Sequence, residues 1–100
     1  MKIKSLNNSG SRLYPGEVTE EQFQLIIDIS PLRSSKVINA LRGYFVQGFA
    51  RKIVCDKYNV NPGYLSVKIN EIHLLHSRII GIYTFLIHYN QSSVVQKNDD

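Results

Sequence analysis

Cysteine, tryptophan and long apolar runs are what this 100-residue chain lacks most conspicuously. Its single cysteine, Cys55, cannot form an internal disulfide, so the stapled secreted domains are excluded and a cytoplasmic setting is expected. The opening MKIKSLNNSGSR has no apolar core of the kind a signal peptide needs. The longest strongly apolar run, Ile79 to Ile87, is far short of the ~20 residues of a membrane helix, so no membrane partner is expected. A glycine-rich phosphate loop, paired catalytic carboxylates and a Ser-His-Asp set are all missing. An enzyme, a cofactor and a small-molecule ligand are therefore not expected. Strand-like alternation and internal repeats are also absent.

What is present is an ordinary globular composition, 43% hydrophobic and 20% charged, enough for one small core. Charge is unevenly spread. Residues 29–90 carry Arg33, Lys36, Arg42, Arg51, Lys52, Lys57, Lys68 and Arg78 against only Asp56 and Glu71, a local +6, while each flank sums to −1. A basic centre of this kind fits either a polyanion-binding face or a solvated helix surface.

Residues 1–13, rich in Asn, Ser, Gly and Lys, read as a flexible N-terminal arm. Thr19-Glu20-Glu21-Gln22 is a capping box that starts a helix with Phe23, Ile26 and Ile27 inward, and Ser30-Pro31 ends it. Ser34 or Ser35 can cap the next helix, whose Val37, Ile38, Leu41, Tyr44 and Phe45 share one face before Gly48 stops it. A short helix over about Ala50–Tyr58 follows. From Pro62 to about Tyr89 no proline interrupts a helical pattern. A single helix of that length would outrun so small a domain, at 1.5 Å rise per residue. The expectation is two helices broken near His73–His76, or one helix shared with a second subunit. The fold class is all-α, a small domain of about five helices over residues 14–89, with residues 90–100 as a flexible tail.

The stretch ARKIVCDKYNVNPGYLSVKI reads as a helix-turn-helix, in which the second helix enters the major groove of DNA. Cys55 is the small apolar residue at the crossing and Val54 and Tyr58 face the core. Asn59 tolerates the left-handed turn conformation, and Val60 plugs the core. Asn61 caps the second helix, with Pro62 at its first position. Leu65, Ile69 and Ile72 bury that helix. Asn61, Gly63, Tyr64, Ser66, Val67 and Asn70 then lie on or near the outward face, with Arg51 and Lys52 placed to meet phosphates. Arg51 and Cys55, four apart, share a helix flank. Lys68 stands where a buried residue is expected and can extend toward a phosphate. The outward face has no Arg or Gln to grip bases in bidentate fashion, so phosphate contacts and groove shape should dominate recognition.

The segments LYPGEVTEEQFQLIIDIS and RKIVCDKY with GYLS, carrying Arg51, Lys52, Val54, Cys55, Lys57, Tyr58, Gly63, Tyr64 and Ser66, resemble the adhesin biosynthesis transcription regulators of bacterial fimbrial operons. The resemblance spans about Leu13 to Ile79. It implies a DNA-binding regulator of pilus genes that binds A·T-rich double-stranded DNA, with minor-groove involvement, and oligomerises along it. Pro62 and the isoleucine-rich last helix depart from the family pattern.

Bland readings compete at several positions. Cys55 could be a reactive thiol, but apolar neighbours argue for packing. Tyr64 could contact phosphate or pack on the turn. His73 and His76 are three apart but lack a third ligand, so no metal is expected, and His88 shows no partner. The segment RIIGIYTFLIHY is apolar nearly all round and needs cover on several sides. A second copy is the expected cover, meeting Ile72, Leu75, Ile79, Ile82, Tyr83 and Leu86. The competing function is a basic protein-interaction module that binds an acidic partner without DNA.

Overall fold

In the computed structural model of the chain, residues 12–99 are described, with side chains from 12 to 90. The expected arm therefore lies, up to residue 11, outside the described residues. All but one of the four helices begin at a capping side chain; the one that follows Ala50 has no side-chain cap. Thr19 Oγ1 accepts the Gln22 N–H at 3.0 Å and opens α1 (Glu20–Ile29). Ser30 closes it: its hydroxyl donates to the Ile27 carbonyl at 2.8 Å and accepts the Leu32 N–H at 3.2 Å. Ser34 caps α2 (Ser35–Phe45) by accepting from Val37 N–H. Gly48 follows with φ +78°, a conformation in which an L side chain is strained. Next come α3 (Arg51–Tyr58) and α4 (Pro62–Asp99).

The core is one cluster. Phe23 and Ile26 of α1, Leu41 and Phe45 of α2, Val54 of α3, and Leu65 and Ile69 of α4 are buried against one another. Each such side chain contributes about 1.5–3 kcal/mol when removed from water. The chain ahead of α1 belongs to the same body. Gly16 and Val18 both donate backbone N–H bonds to the Phe45 carbonyl, at 2.9 and 3.2 Å. Leu13, which composition places in the arm, is only 6% exposed and joins the core.

Among the described residues there are four helices, fewer than the five expected. The region after Pro62 does not break near His73–His76 but continues as one helix to Asp99. Nothing in it forces a break. Gly81 is the weakest helix former there, and it sits where an added Cβ would meet open space, so no packing demand distorts it. At 38 residues the helix is about 57 Å long, which accounts for the 61 Å long axis of the molecule. Only its first half has a domain to lie on. Side chains from Gly81 to Asn90 are all exposed. Ile82 (59%), Phe85 (66%) and Leu86 (47%) present an apolar overhang. Among the described residues, no helix is long and apolar enough to cross a membrane.

Candidate nucleic-acid interface

The turn between α3 and α4 is built as the residue types require. Asn59 adopts φ 56°, ψ 51°, the left-handed conformation, and Val60 is buried behind it. Asn61 Oδ1 accepts the Tyr64 N–H at 3.0 Å, capping α4 with Pro62 at its first position. A tie invisible in the local sequence holds this joint: Lys36 Nζ donates to the Asn59 carbonyl at 3.0 Å, from the first turn of α2 to the C-terminal end of α3. A cation there also complements the negative end of the α3 dipole.

Arg51 lies at the start of α3, beside the outward face of α4. Its Nη1 donates to Ser66 Oγ at 2.9 Å, and the guanidinium sits 5.5 Å from the Tyr44 ring centroid. These contacts orient the fork while using only part of its donor set, and among the described residues its other N–H groups have no hydrogen-bond partner. Lys52 is solvent-exposed, with only a loose 3.8 Å contact to Asp56. Gly63, Tyr64, Val67 and Asn70 are exposed on α4, and Ser66 is half-buried beneath Arg51. Asn61 is exposed too, with its oxygen committed to the cap. Gly63, Ser66, Val67 and Asn70 thus share one face of α4, and Arg51 meets that face at Ser66.

Two residues assigned to this surface are elsewhere. Cys55 is 5% exposed and packs in the core, where it supports α3. Lys68 lies on the opposite flank of α4 from Ser66, two residues on being over half a turn around. It pairs with Glu71 Oε1 at 3.1 Å and lies 5.1 Å from the Tyr64 ring centroid. The Glu71 hydrogen bond, ahead of its charge and that of Tyr64, holds the Lys68 ammonium above the ordinary lysine value against some desolvation. Lys68 and Glu71 edge a groove of about 350 Å³ whose other wall is Ser30, Pro31 and Leu32.

The central positive charge is thinned by structure. Arg42 is bound to Glu20 at 3.0 Å and lies over the Phe23 ring at 5.2 Å, so it serves the α1–α2 contact. Of the residues expected to meet a second copy, Ile72 is already buried in the core, and Leu75 and Ile79 are half-buried against it. Ile82, Tyr83 and Leu86 remain exposed on the overhang.

Sequence reasoning missed one cluster at this site. His73 Nδ1 accepts the Leu13 N–H in a long hydrogen bond of 3.4 Å, and its ring meets the Phe45 ring edge-on at 5.5 Å. Sixty positions separate Leu13 from His73, so no local pattern could pair them. Burial first, then the charges of Arg12, His76 and Arg51, hold the His73 imidazole below the ordinary histidine value. A base with a depressed folded pKa contributes stability that is complete above the unfolded value, near 6.5, and is lost as pH falls below it. The urea midpoint should therefore drop between pH 7.5 and pH 5, and His73→Asn should reduce that dependence. An unchanged dependence in the variant would remove His73 as a source of acid sensitivity.

Two helices joined through a left-handed Asn, the second capped by Asn61 and flanked by an anchored arginine, define the class: a helix-turn-helix arrangement. The chain belongs to the adhesin biosynthesis transcription regulatory protein family, whose model matches residues 1–86. It is therefore a transcription regulator and not an enzyme. It is similar to the regulatory protein FanB of Escherichia coli, 49% identical over 82 residues, covering 82% of this chain and 83% of that one. The E. coli major pilus subunit operon regulatory protein PapB is 40% identical over 82 residues, 79% of each chain. The crystal structure of E. coli FocB superposes with a TM-score of 0.70 at 36% identity, covering 83% of this chain and 92% of that chain.

Proposed function

We propose that this protein regulates adhesin or fimbrial genes in the bacterial cytoplasm. It binds A·T-rich double-stranded DNA through the α3–α4 pair and oligomerises on clustered sites. The observation that carries the reading is Arg51, held by Ser66 and Tyr44 with donors to spare, next to a helix face of Gly, Val and Asn. Such a face has little with which to grip base edges, so phosphate contacts supply most of the affinity. Selectivity then comes from groove width and deformability, which favours A·T-rich duplex with its narrow, strongly negative minor groove. The apolar overhang of α4 supports assembly, because an isolated protein seldom leaves so large an apolar patch in water. Weakly discriminating subunits joined this way gain selectivity from occupying several sites at once.

A salt titration of binding to A·T-rich and G·C-rich duplexes tests the reading. Affinity should fall steeply with salt and be higher for the A·T-rich duplex. Arg51→Ala should weaken binding about tenfold and flatten the salt slope by about 0.9 per lost phosphate contact. Binding to DNA that ignores salt, or that survives Arg51→Ala undiminished, would show this surface to be wrongly assigned.

A further inference from the structure

The start of the described chain meets the fold at the proposed DNA face. Leu13 is buried, its N–H is bonded to His73, and the next residues are stitched to the Phe45 carbonyl through Gly16 and Val18. His73 in turn packs edge-on against Phe45, and Phe45 against Tyr44 with ring centroids 4.9 Å apart. Tyr44 carries the Arg51 guanidinium, and Arg51 is bonded to Ser66. This chain of contacts joins the Leu13 backbone to the anchored arginine. Arg12 is one residue before the bonded amide and is exposed. The positive charges of Arg12 and Arg51 both disfavour protonation of the His73 imidazole.

We infer that Arg12 is a second phosphate-binding residue, held on the DNA face by the hydrogen bond between the Leu13 amide and His73. The inference rests on the reading of α3–α4 as the DNA-binding unit and adds a residue outside it. Arg12 contacts the backbone of the duplex that Arg51 meets, and His73 is a positioning residue that acts through the Leu13 amide. The bond needs an unprotonated Nδ1, so the neutral ring with its proton on Nε2 is the form that holds Arg12 in place. The long 3.4 Å bond holds only modestly, as suits a contact made by the flank of the domain rather than its core.

Salt-dependent binding of the full chain to an A·T-rich duplex separates the alternatives. Arg12→Ala should lower affinity several-fold and flatten the salt slope by about 0.9, one phosphate contact, without changing the thermal midpoint. His73→Asn places an amide oxygen near the lost Nδ1 and should bind like the parent. His73→Leu offers no acceptor and should bind like Arg12→Ala. Combined with Arg12→Ala, His73→Leu should cost DNA binding nothing further, because both remove one contact. Additive losses in that pair, or an unchanged slope for Arg12→Ala alongside a flattened one for Arg51→Ala, would overturn the inference and leave the DNA-binding reading intact. If Arg51→Ala is also unchanged, the reading itself fails.

Discussion

In the proposed assembly the overhang of α4 is the subunit contact, and the double variant Ile82→Lys/Leu86→Lys should sediment as a monomer. It should also lower affinity for DNA with several clustered sites by roughly 10²–10⁴-fold, the range that linked binding adds. The two positions are one helical turn apart and exposed on the half of α4 that extends beyond the domain. Phe85 and Tyr89 stack beside them with centroids 6.3 Å apart. None of these side chains contributes to the described core, so charging two of them leaves the domain's own packing in place. Burying apolar side chains of this size in a subunit contact stabilises by about 1.5–3 kcal/mol each, before the cost of association. Sedimentation would report the oligomeric state. Duplexes with one site or several would separate intrinsic affinity from the gain by linkage. A variant that sediments like the parent, or that loses single-site and multi-site binding equally, would remove the overhang as the assembly surface.

Gly43→Val should destabilise the fold by about 2–3 kcal/mol, the upper part of the range for overpacked cores. In a domain of this size that lowers the thermal midpoint by roughly 4–8 °C per kcal/mol. A Cβ added at Gly43 would lie 2.8 Å from Val54 Cγ1, with Gln47 Oε1 and Phe49 Cδ2 both at 3.6 Å. Valine 54 is buried and stiff about its first side-chain bond, so it cannot rotate away cheaply. Helix propensity opposes this loss, since alanine is favoured over glycine by about 0.8–1 kcal/mol in a helix interior. Gly43→Ala should therefore cost less than the valine variant and still fail to stabilise. Combining it with Val54→Ala should cost less than the sum of the single changes, because the two sites share one space. A Gly43→Ala protein more stable than the parent would show that the α2–α3 contact relaxes freely.

That contact also marks the limit of local reading. Residue types assign Cys55 as the small residue of the crossing, and it is indeed buried. The position with no room for even a Cβ is Gly43, on the helix before the motif, and its role depends on the approach of α3. The helix starts at Thr19 and Ser34, the turn at Asn59 and the buried face of Leu65, Ile69 and Ile72 were all legible, because each depends on neighbours within a few residues. Lys68 was not: its flank of α4 is distinguished from that of Ser66 by what packs alongside, the Ser30–Leu32 corner in one case and Arg51 in the other.

Local residue patterns set the all-α class, the turn that joins α3 to α4 and the residues available to an outward face, since capping, left-handed asparagine and helical spacing are local physics. Tertiary structure decided which charges remain for a partner. It joined Arg42 to Glu20 and Lys68 to Glu71, anchored Arg51 on Ser66 and Tyr44, and brought the Leu13 amide to His73. It also decided that α4 runs unbroken past the domain, because no breaker interrupts it while the core it could cover ends near Ile79. Pairings across tens of residues are set by how helices pack, and no periodicity in a single chain records them.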